Sequence, residues 1–342
     1  MSILESAVAF DGKIFSGSNV LITGGLGFIG SALARRLVDL GAKVTLVDSM
    51  IPEYGGNIFN IHDIRDRVTV DLSDVRDAAA MASLIKGRDF LFNLAGQTSH
   101  LDSMTDPLTD LNINTAAQLS ILEACRLHNA GVKIVFASTR QIYGRPQYLP
   151  VDEKHPLNPV DVNGINKLAG EWYHLLYNNV HKIRACALRL TNTYGTGMRV
   201  KDARQTFLGI WIRQLIDGAP IQVFGNGEQR RDFNFIDDVV EAFLLAAARS
   251  ESEGQVFNLG HSEQISLKEL AALLVQLNGA GCHELVPFPS DREAIDIGDY
   301  YGDFRKIDNA LGWSPKVSLQ DGLTRTLAYY KQHRAHYWDS SR

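Results

Sequence analysis

Cysteine is scarce in this chain: three in 342 residues, Cys125, Cys186 and Cys282, scattered and in no metal-ligand spacing. That excludes a disulfide framework and a thiolate metal site, and it suits reduced thiols in a cytosolic protein. Charge of one sign is lacking too. The 34 Lys and Arg nearly balance the 39 Asp and Glu, and a net charge of −5 argues against a general nucleic-acid or membrane-surface binder. No apolar run approaches the roughly 18 residues of a membrane span. The opening residues, MSILESAVAFDGKIFSGS, lack the basic start and apolar core of a signal peptide, so none is expected. Internal repeats and low-complexity tracts are absent. Residues 1–17 read as a short surface arm. The rest is 45% hydrophobic and 21% charged, an ordinary globular composition in a chain long enough for one large or two interlocked domains.

What is present is organised around residues 20–30, V-L-I-T-G-G-L-G-F-I-G. A buried strand ends in Thr23, glycines follow at 24, 27 and 30, and a helical pattern starts at once. A turn of this kind needs backbone angles that a Cβ hinders, and it lets the backbone approach a pyrophosphate at a helix N-terminus. Asp48 closes the next strand, 44–47, at the distance that suits an adenosine ribose. Its charge would repel a 2′-phosphate, which favours NAD over NADP. Further strands are expected at 68–71, 90–95, 133–137 and 184–189, with helices at 78–86, 107–129 and 163–179 between them. Such alternation predicts an α/β protein with a parallel sheet covered on both faces. Past residue 190 the pattern turns irregular. Helices are expected at 207–216, 238–248, 266–277 and from 319 to about 333, and strands at 221–224, 233–236 and 256–259. Ser266 with Glu269 has the spacing of a capping box.

The ordered motifs TGGLGFIG (23–30), NLAG (93–96), STRQIYG (138–144), LRLTNTYG (188–195) and VFGNGEQRRDFNFIDDV (223–239) resemble the extended short-chain dehydrogenase/reductases that act on nucleotide sugars. The resemblance runs from about residue 19 to 327. It implies a Rossmann-like doubly wound sheet in residues 1–190, rejoined by segments near 233–260. Residues 191–342 would form mainly a smaller C-terminal α/β substrate domain. By the same resemblance Gly24, Gly27 and Gly30, with Phe28 and Ile29, would hold the NAD pyrophosphate. Asp48 would bind the ribose, Asp71 and Leu72 the adenine, and Leu94, Ala95 and Gly96 would line the cleft. Asn114 would stand behind the active site. Asn192 and Arg231 would meet a nucleotide-diphosphate sugar. Arg292 is either a second diphosphate arginine or a solvated surface charge. The family also implies a homodimer built on helices 107–129 and 163–179.

Catalysis is where the pattern breaks. The family uses Tyr-x-x-x-Lys after its fifth strand, the lysine holding the nicotinamide ribose and lowering the tyrosine pKa. Here Lys167 is present, near Ser138 and Thr139, but the tyrosine position is Asn163. An amide is no general base. Tyr143 or His100 could supply the proton transfer instead, Asn163 could only orient the substrate, or the protein could bind NAD and a sugar nucleotide without turnover, as a regulator. Family dehydratases carry Asp-Glu after the threonine, whereas this chain has Arg140 and Gln141, so an epimerase is favoured over a dehydratase. A reductase needs only part of the same machinery. Arg140 with Arg199, Lys201 and Arg204 is either a site for an extra anionic group, such as a uronate, or a solvated cationic stretch.

Overall fold

A computed structural model describes residues 12–202, 204 and 206–338. Six strands follow one another through the first half: β1 (Asn19–Thr23), β2 (Lys43–Val47), β3 (Val68–Asp71), β4 (Phe90–Asn93), β5 (Lys133–Thr139) and β6 (Arg184–Leu190). Later come β7 (Asn192–Tyr194), β8 (Ile221–Phe224), β9 (Arg230–Phe235), β10 (Val256–Asn258), β11 (Gln264–Ser266) and β12 (His283–Val286). Seven strands form one sheet in the order β10-β6-β5-β4-β1-β2-β3, every pair parallel. From β1 the chain winds outward through β2 and β3, then returns to β4 and winds the other way. The crevice where the winding reverses lies between β1 and β4, and their register sets Thr23 beside Asn93. Ligands of such sheets collect at this place.

The helices are α1 (Phe28–Asp39), α2 (Ala78–Leu84), α3 (His100–Thr105), α4 (Pro107–Leu111), α5 (Ala117–His128) and α6 (Val162–His181), then α7 (Phe207–Ile216), α8 (Ile236–Ala248), α9 (Leu267–Asn278), α10 (Ser290–Glu293), α11 (Arg305–Leu311) and α12 (Leu319–His333). The strands are apolar on both faces and so need two covers. Val20, Ile22, Phe90, Phe92 and Val135 point to the side where Leu33, Leu37, Val239 and Phe243 of α1 and α8 close the core. Leu21, Leu91, Ile134 and Ala185 point the other way, onto Met81, Ile121, Leu122 and Tyr177 of α2, α5 and α6. This period of two, repeated in register across strands, is why the sequence shows continuous apolar runs rather than alternation.

The expected helix over 107–129 is not uniform. A π-helical turn, Asn112–Ala116, lies between α4 and α5 and buries Ile113 and Asn114. β10 joins the main sheet beside β6, whereas β9 pairs with β7 and β11 in a separate three-stranded sheet. Ser266 caps α9 in a complete capping box with Glu269, as its spacing predicts. The expected surface arm lies for residues 1–11 outside the described residues. Its remainder is a helical turn, Lys13–Phe15, that buries Phe15.

Candidate active site

The glycine turn opens the site. Gly24 has φ +68°, and a Cβ there would stand 3.1 Å from the Ala95 backbone nitrogen, while one on Gly30 would collide with the Gly24 carbonyl. Gly27 precedes α1 without capping it by a side chain. The free N–H groups of that helix end therefore face the cleft, a cradle suited to phosphate. Thr23 joins the two strand ends: its Oγ1 donates to Asn93 Oδ1 at 2.8 Å and accepts from the Leu94 and Ala95 N–H groups at 3.1 Å. Asn93 in turn donates to Gln118 Oε1 at 2.7 Å and to His174 Nε2 at 3.1 Å. Asp48 accepts from Leu26 and Met50 N–H groups. Burial nevertheless raises its carboxyl above the usual range against those bonds.

A cavity of about 620 Å³ begins here and continues past β4 and β5 to the C-terminal part. Gly24, Gly27, Phe28, Ile29, Gly30, Asp48, Leu94, Ala95 and Gly96 all line it. Asp71 and Leu72, expected at the adenine, are not on its wall. Asp71 turns back to accept from Ser73 N–H at 2.9 Å, Leu72 faces solvent, and Asp74 with Val75 lines that stretch instead. The cradle that a Cβ would fill, the uncapped helix end and the acid at the tip of β2 fit NAD.

Lys167, one turn into α6, is buried against the Phe136 ring and donates to the Ala137 carbonyl at 2.9 Å. Burial lowers it to about 8, partly opposed by Asp110. A Cβ at Gly96 would lie 3.1 Å from its Nζ and 2.8 Å from Asn114 Oδ1, so glycine is what admits both. Asn114 sits behind Gly96, off the cavity wall, and donates to the Gln97 carbonyl at 2.9 Å. Thr139 lines the cavity and caps the turn that follows by accepting from Gln141 N–H.

Asn163 also lines the cavity, but its amide turns inward. Its Nδ2 donates to the Gln97 carbonyl at 2.8 Å and to Asp110 Oδ2 at 3.0 Å, and Asn166 holds the other oxygen of Asp110 at 2.8 Å. Both amide hydrogens are committed, which corrects the expectation that Asn163 donates to a substrate. Tyr143 needs a larger correction. It is fully buried off the cavity wall, donates to Asn258 Oδ1 at 2.6 Å and accepts from Arg189 at 2.6 Å, and burial drives its pKa far up. It cannot meet a substrate in the cleft.

His100 does reach the cleft. It begins α3, and its Nδ1 lies 2.9 Å from Asp161 Oδ2. Asp161 is the N-cap of α6, its other oxygen accepting from Gly164 N–H at 2.6 Å. Burial pushes the Asp161 carboxyl up, and the imidazole and the Gly164 bond outweigh it, so the carboxyl stays below its usual range. Nε2 of His100 lies 2.9 Å from Gln141 Nε2, which assigns it as an acceptor with the proton on Nδ1. Sequence reading overlooked Asp161, although an acid just before a helical pattern is an N-cap signal.

At the far end Asn192 donates to the Asp232 carbonyl at 2.9 Å and accepts from Arg140 at 3.2 Å. Arg231 donates to the carbonyls of Arg230 and Gly298 and stands 3.7 Å from Asp296. Burial and the nearby Arg140 lower it to about 10. Arg292 lines the cavity too, over the Phe224 ring at 5.4 Å.

Residues 20–260 match the NAD dependent epimerase/dehydratase family. The chain belongs to that family. A UDP-glucose 4-epimerase from Mycolicibacterium smegmatis is 31% identical over 91% of this chain and 98% of its own. A UDP-glucose 4-epimerase from Thermotoga maritima, solved with UDP-glucose, superposes with a TM-score of 0.84 at 28% identity, over 92% of this chain and 99% of its own. A dTDP-glucose 4,6-dehydratase from Streptomyces venezuelae, solved with NAD, gives 0.85 at 25% identity over 94% and 99%. Within this NAD-dependent epimerase/dehydratase family the present chain has Asn163 four residues before Lys167 and an Asp-oriented histidine at the neighbouring helix start. No helix among the described residues is long and apolar enough to cross a membrane.

Proposed function

We propose that the chain is a nucleotide-diphosphate-sugar epimerase that inverts one carbinol carbon, with His100 as its acid–base. The observation that carries this reading is the His100–Asp161 pair on the cavity wall, beside the N-terminus of the helix that bears Asn163 and Lys167. Bound NAD supplies reversible two-electron oxidation of a carbinol. The protein must then move one proton. Once the sugar hydroxyl displaces the Gln141 amide from Nε2 of His100, that nitrogen accepts the proton, Asp161 stabilises the resulting imidazolium, and the same nitrogen returns the proton at the end. Lys167 holds the nicotinamide ribose with its ammonium, and Thr139 offers a hydroxyl to the sugar. Arg231 and Arg292 grip the diphosphate, for which a guanidinium fork is suited. Arg140 and Gln141 supply no carboxylate pair for eliminating water, which weighs against a dehydratase. The relatives named as 4-epimerases point to C4 as the carbon inverted.

In this reading residues 1–190, with β10 and α8, carry the cofactor and residues 191–342 mainly the substrate. The active form is a homodimer. Its support is an apolar stripe on α6, where Ile165, Trp172, Leu176 and Val180 are all at least half exposed, beside exposed Leu108 and Leu127 of the 107–128 segment. The test of the activity is incubation of the NAD-loaded protein with UDP-, dTDP- and GDP-hexoses, with product stereochemistry read by NMR. Appearance of the epimer without net NADH supports the reading. A product lacking the elements of water, or no conversion of any sugar, overturns it.

A further inference from the structure

Arg140 is a partly buried cation, its Nη1 wholly buried, that the chain itself leaves short of an anion. It follows Thr139 at the C-terminal end of β5 and lines the cavity. Its Nη2 donates to Asn192, while Nη1 is buried with no hydrogen-bond partner. The Tyr300 ring beneath it, 5.0 Å from the guanidinium carbon, supplies only a weak cation–π contact. Three carboxylates influence it, and each is engaged elsewhere. Asp232 accepts from Thr191 Oγ1 at 2.6 Å and from Gly302 N–H at 2.9 Å. Asp161 serves His100 and the start of α6. Asp296 faces Arg231 and accepts from Gly298 N–H at 3.0 Å. A second, buried guanidinium, Arg231, stands close enough that burial and the charge of Arg140 together lower its pKa to about 10. Two like charges kept dry with spare donors are costly unless a ligand brings negative charge.

The neighbouring cations have different positions. Arg199 is paired with Asp202 at 2.6 Å, and the half-exposed Arg204 lies 3.4 Å from Asp102. Arg231 lies on β9, which pairs with the β7 residue that Arg140 reaches, and it lines the cavity with Arg292, Phe224, Phe288 and Asp296 on the side away from His100. Arg140 instead sits between Thr139 and the Gln141 that touches His100, where the sugar ring must lie for His100 to act. An anion at that point belongs to the sugar, not to the diphosphate. We infer that the site takes a nucleotide sugar whose ring bears a carboxylate, a nucleotide uronate, and that Arg140 binds that carboxylate. The inference rests on the nucleotide-sugar reading above.

The test uses calorimetry on the NAD-loaded protein. Titration with free UDP, dTDP and GDP identifies the nucleotide. The uronate and the neutral hexose of that nucleotide (UDP-glucuronate and UDP-glucose, for uridine) are then compared on wild type, Arg140→Leu and Arg140→Lys. A charge-assisted bidentate contact predicts about 10-fold or greater preference for the uronate in wild type. Arg140→Leu should bring the ratio near one, and Arg140→Lys should fall between. Equal affinities in wild type overturn the inference. So does Arg140→Leu weakening the free nucleotide as much as the uronate, which assigns Arg140 to the diphosphate. Tight binding of nucleotide and neutral hexose without a uronate preference overturns the carboxylate alone, whereas no binding of any nucleotide or nucleotide sugar overturns the parent reading with it.

Discussion

A phenol needs a nearby cation to become a base near neutral pH, whereas an imidazole needs a carboxylate to fix its tautomer. The cleft retains Lys167 but sets the carboxylate, Asp161, against His100. In the proposed reading Lys167 holds the cofactor, and its depressed pKa makes that hold pH-dependent. The ammonium is charged below about pH 8 and neutral above, so NAD affinity of the apoprotein should fall as pH rises through 8. Titration calorimetry across pH 6.5–9.5 checks this, with Lys167→Met giving a flatter profile. Tyr143 serves structure instead. Its hydroxyl links Arg189 and Asn258 in the core, so Tyr143→Phe should lower stability by about 1–3 kcal/mol, the usual cost of stranded buried partners. Turnover should stay within about threefold of wild type, which steady-state assays and urea unfolding check together.

At the scale of elements, α6 is the piece that assembles the site. Its N-cap orients His100, its first turns clamp Asp110 and place Lys167, and His174 joins it to β4 through Asn93. His174 is wholly buried, donates to the Gly170 carbonyl at 2.7 Å and stacks on Phe136, and burial lowers it to about 4. The unfolded chain takes up that proton near the ordinary histidine value of about 6.5, so it binds more protons than the native state between the two values. Stability from this group is therefore complete above about 6.5 and is lost as pH falls toward 4. Between pH 6.5 and 5 the loss should be about 2 kcal/mol, read as a lower urea midpoint, and His174→Gln should reduce that slope. The helix itself was readable from its apolar spacing, and so was the position of Lys167. The inward turn of Asn163 was not, because its partner Asp110 lies on α4, 53 residues away. The π-helical turn at 112–116 was also hidden: it arises where Asn114 is drawn toward Gln97, a tertiary contact with no local signature.

Across the whole molecule the doubly wound sheet could be read early, since glycine turns and apolar runs are local signals. The separate sheet of β7, β9 and β11 could not. Its strands are three to six residues long, and their pairing is set by contacts across 32 to 41 positions, such as Asn192 with Phe233. Burial decided the site as much as motif did. Tyr143 was the better-placed candidate in sequence, His100 the second, until the fold enclosed the first and left the other on the cavity wall. The apolar stripe on α6 makes assembly testable at the same scale. On the proposed dimer, wild type should run as a dimer in light scattering and Trp172→Asp with Leu176→Asp as a monomer, while far-UV circular dichroism stays as in wild type.

The central claim is that His100 moves the proton that a tyrosine at 163 would otherwise carry. Its most direct test is kcat for the epimerisation of the preferred nucleotide sugar, in wild type and His100→Gln, across pH 5–9. The account predicts a loss of about 10²–10⁴-fold in kcat for His100→Gln across that range, with KM little changed. Wild-type turnover with an unaltered pH profile in His100→Gln would contradict it.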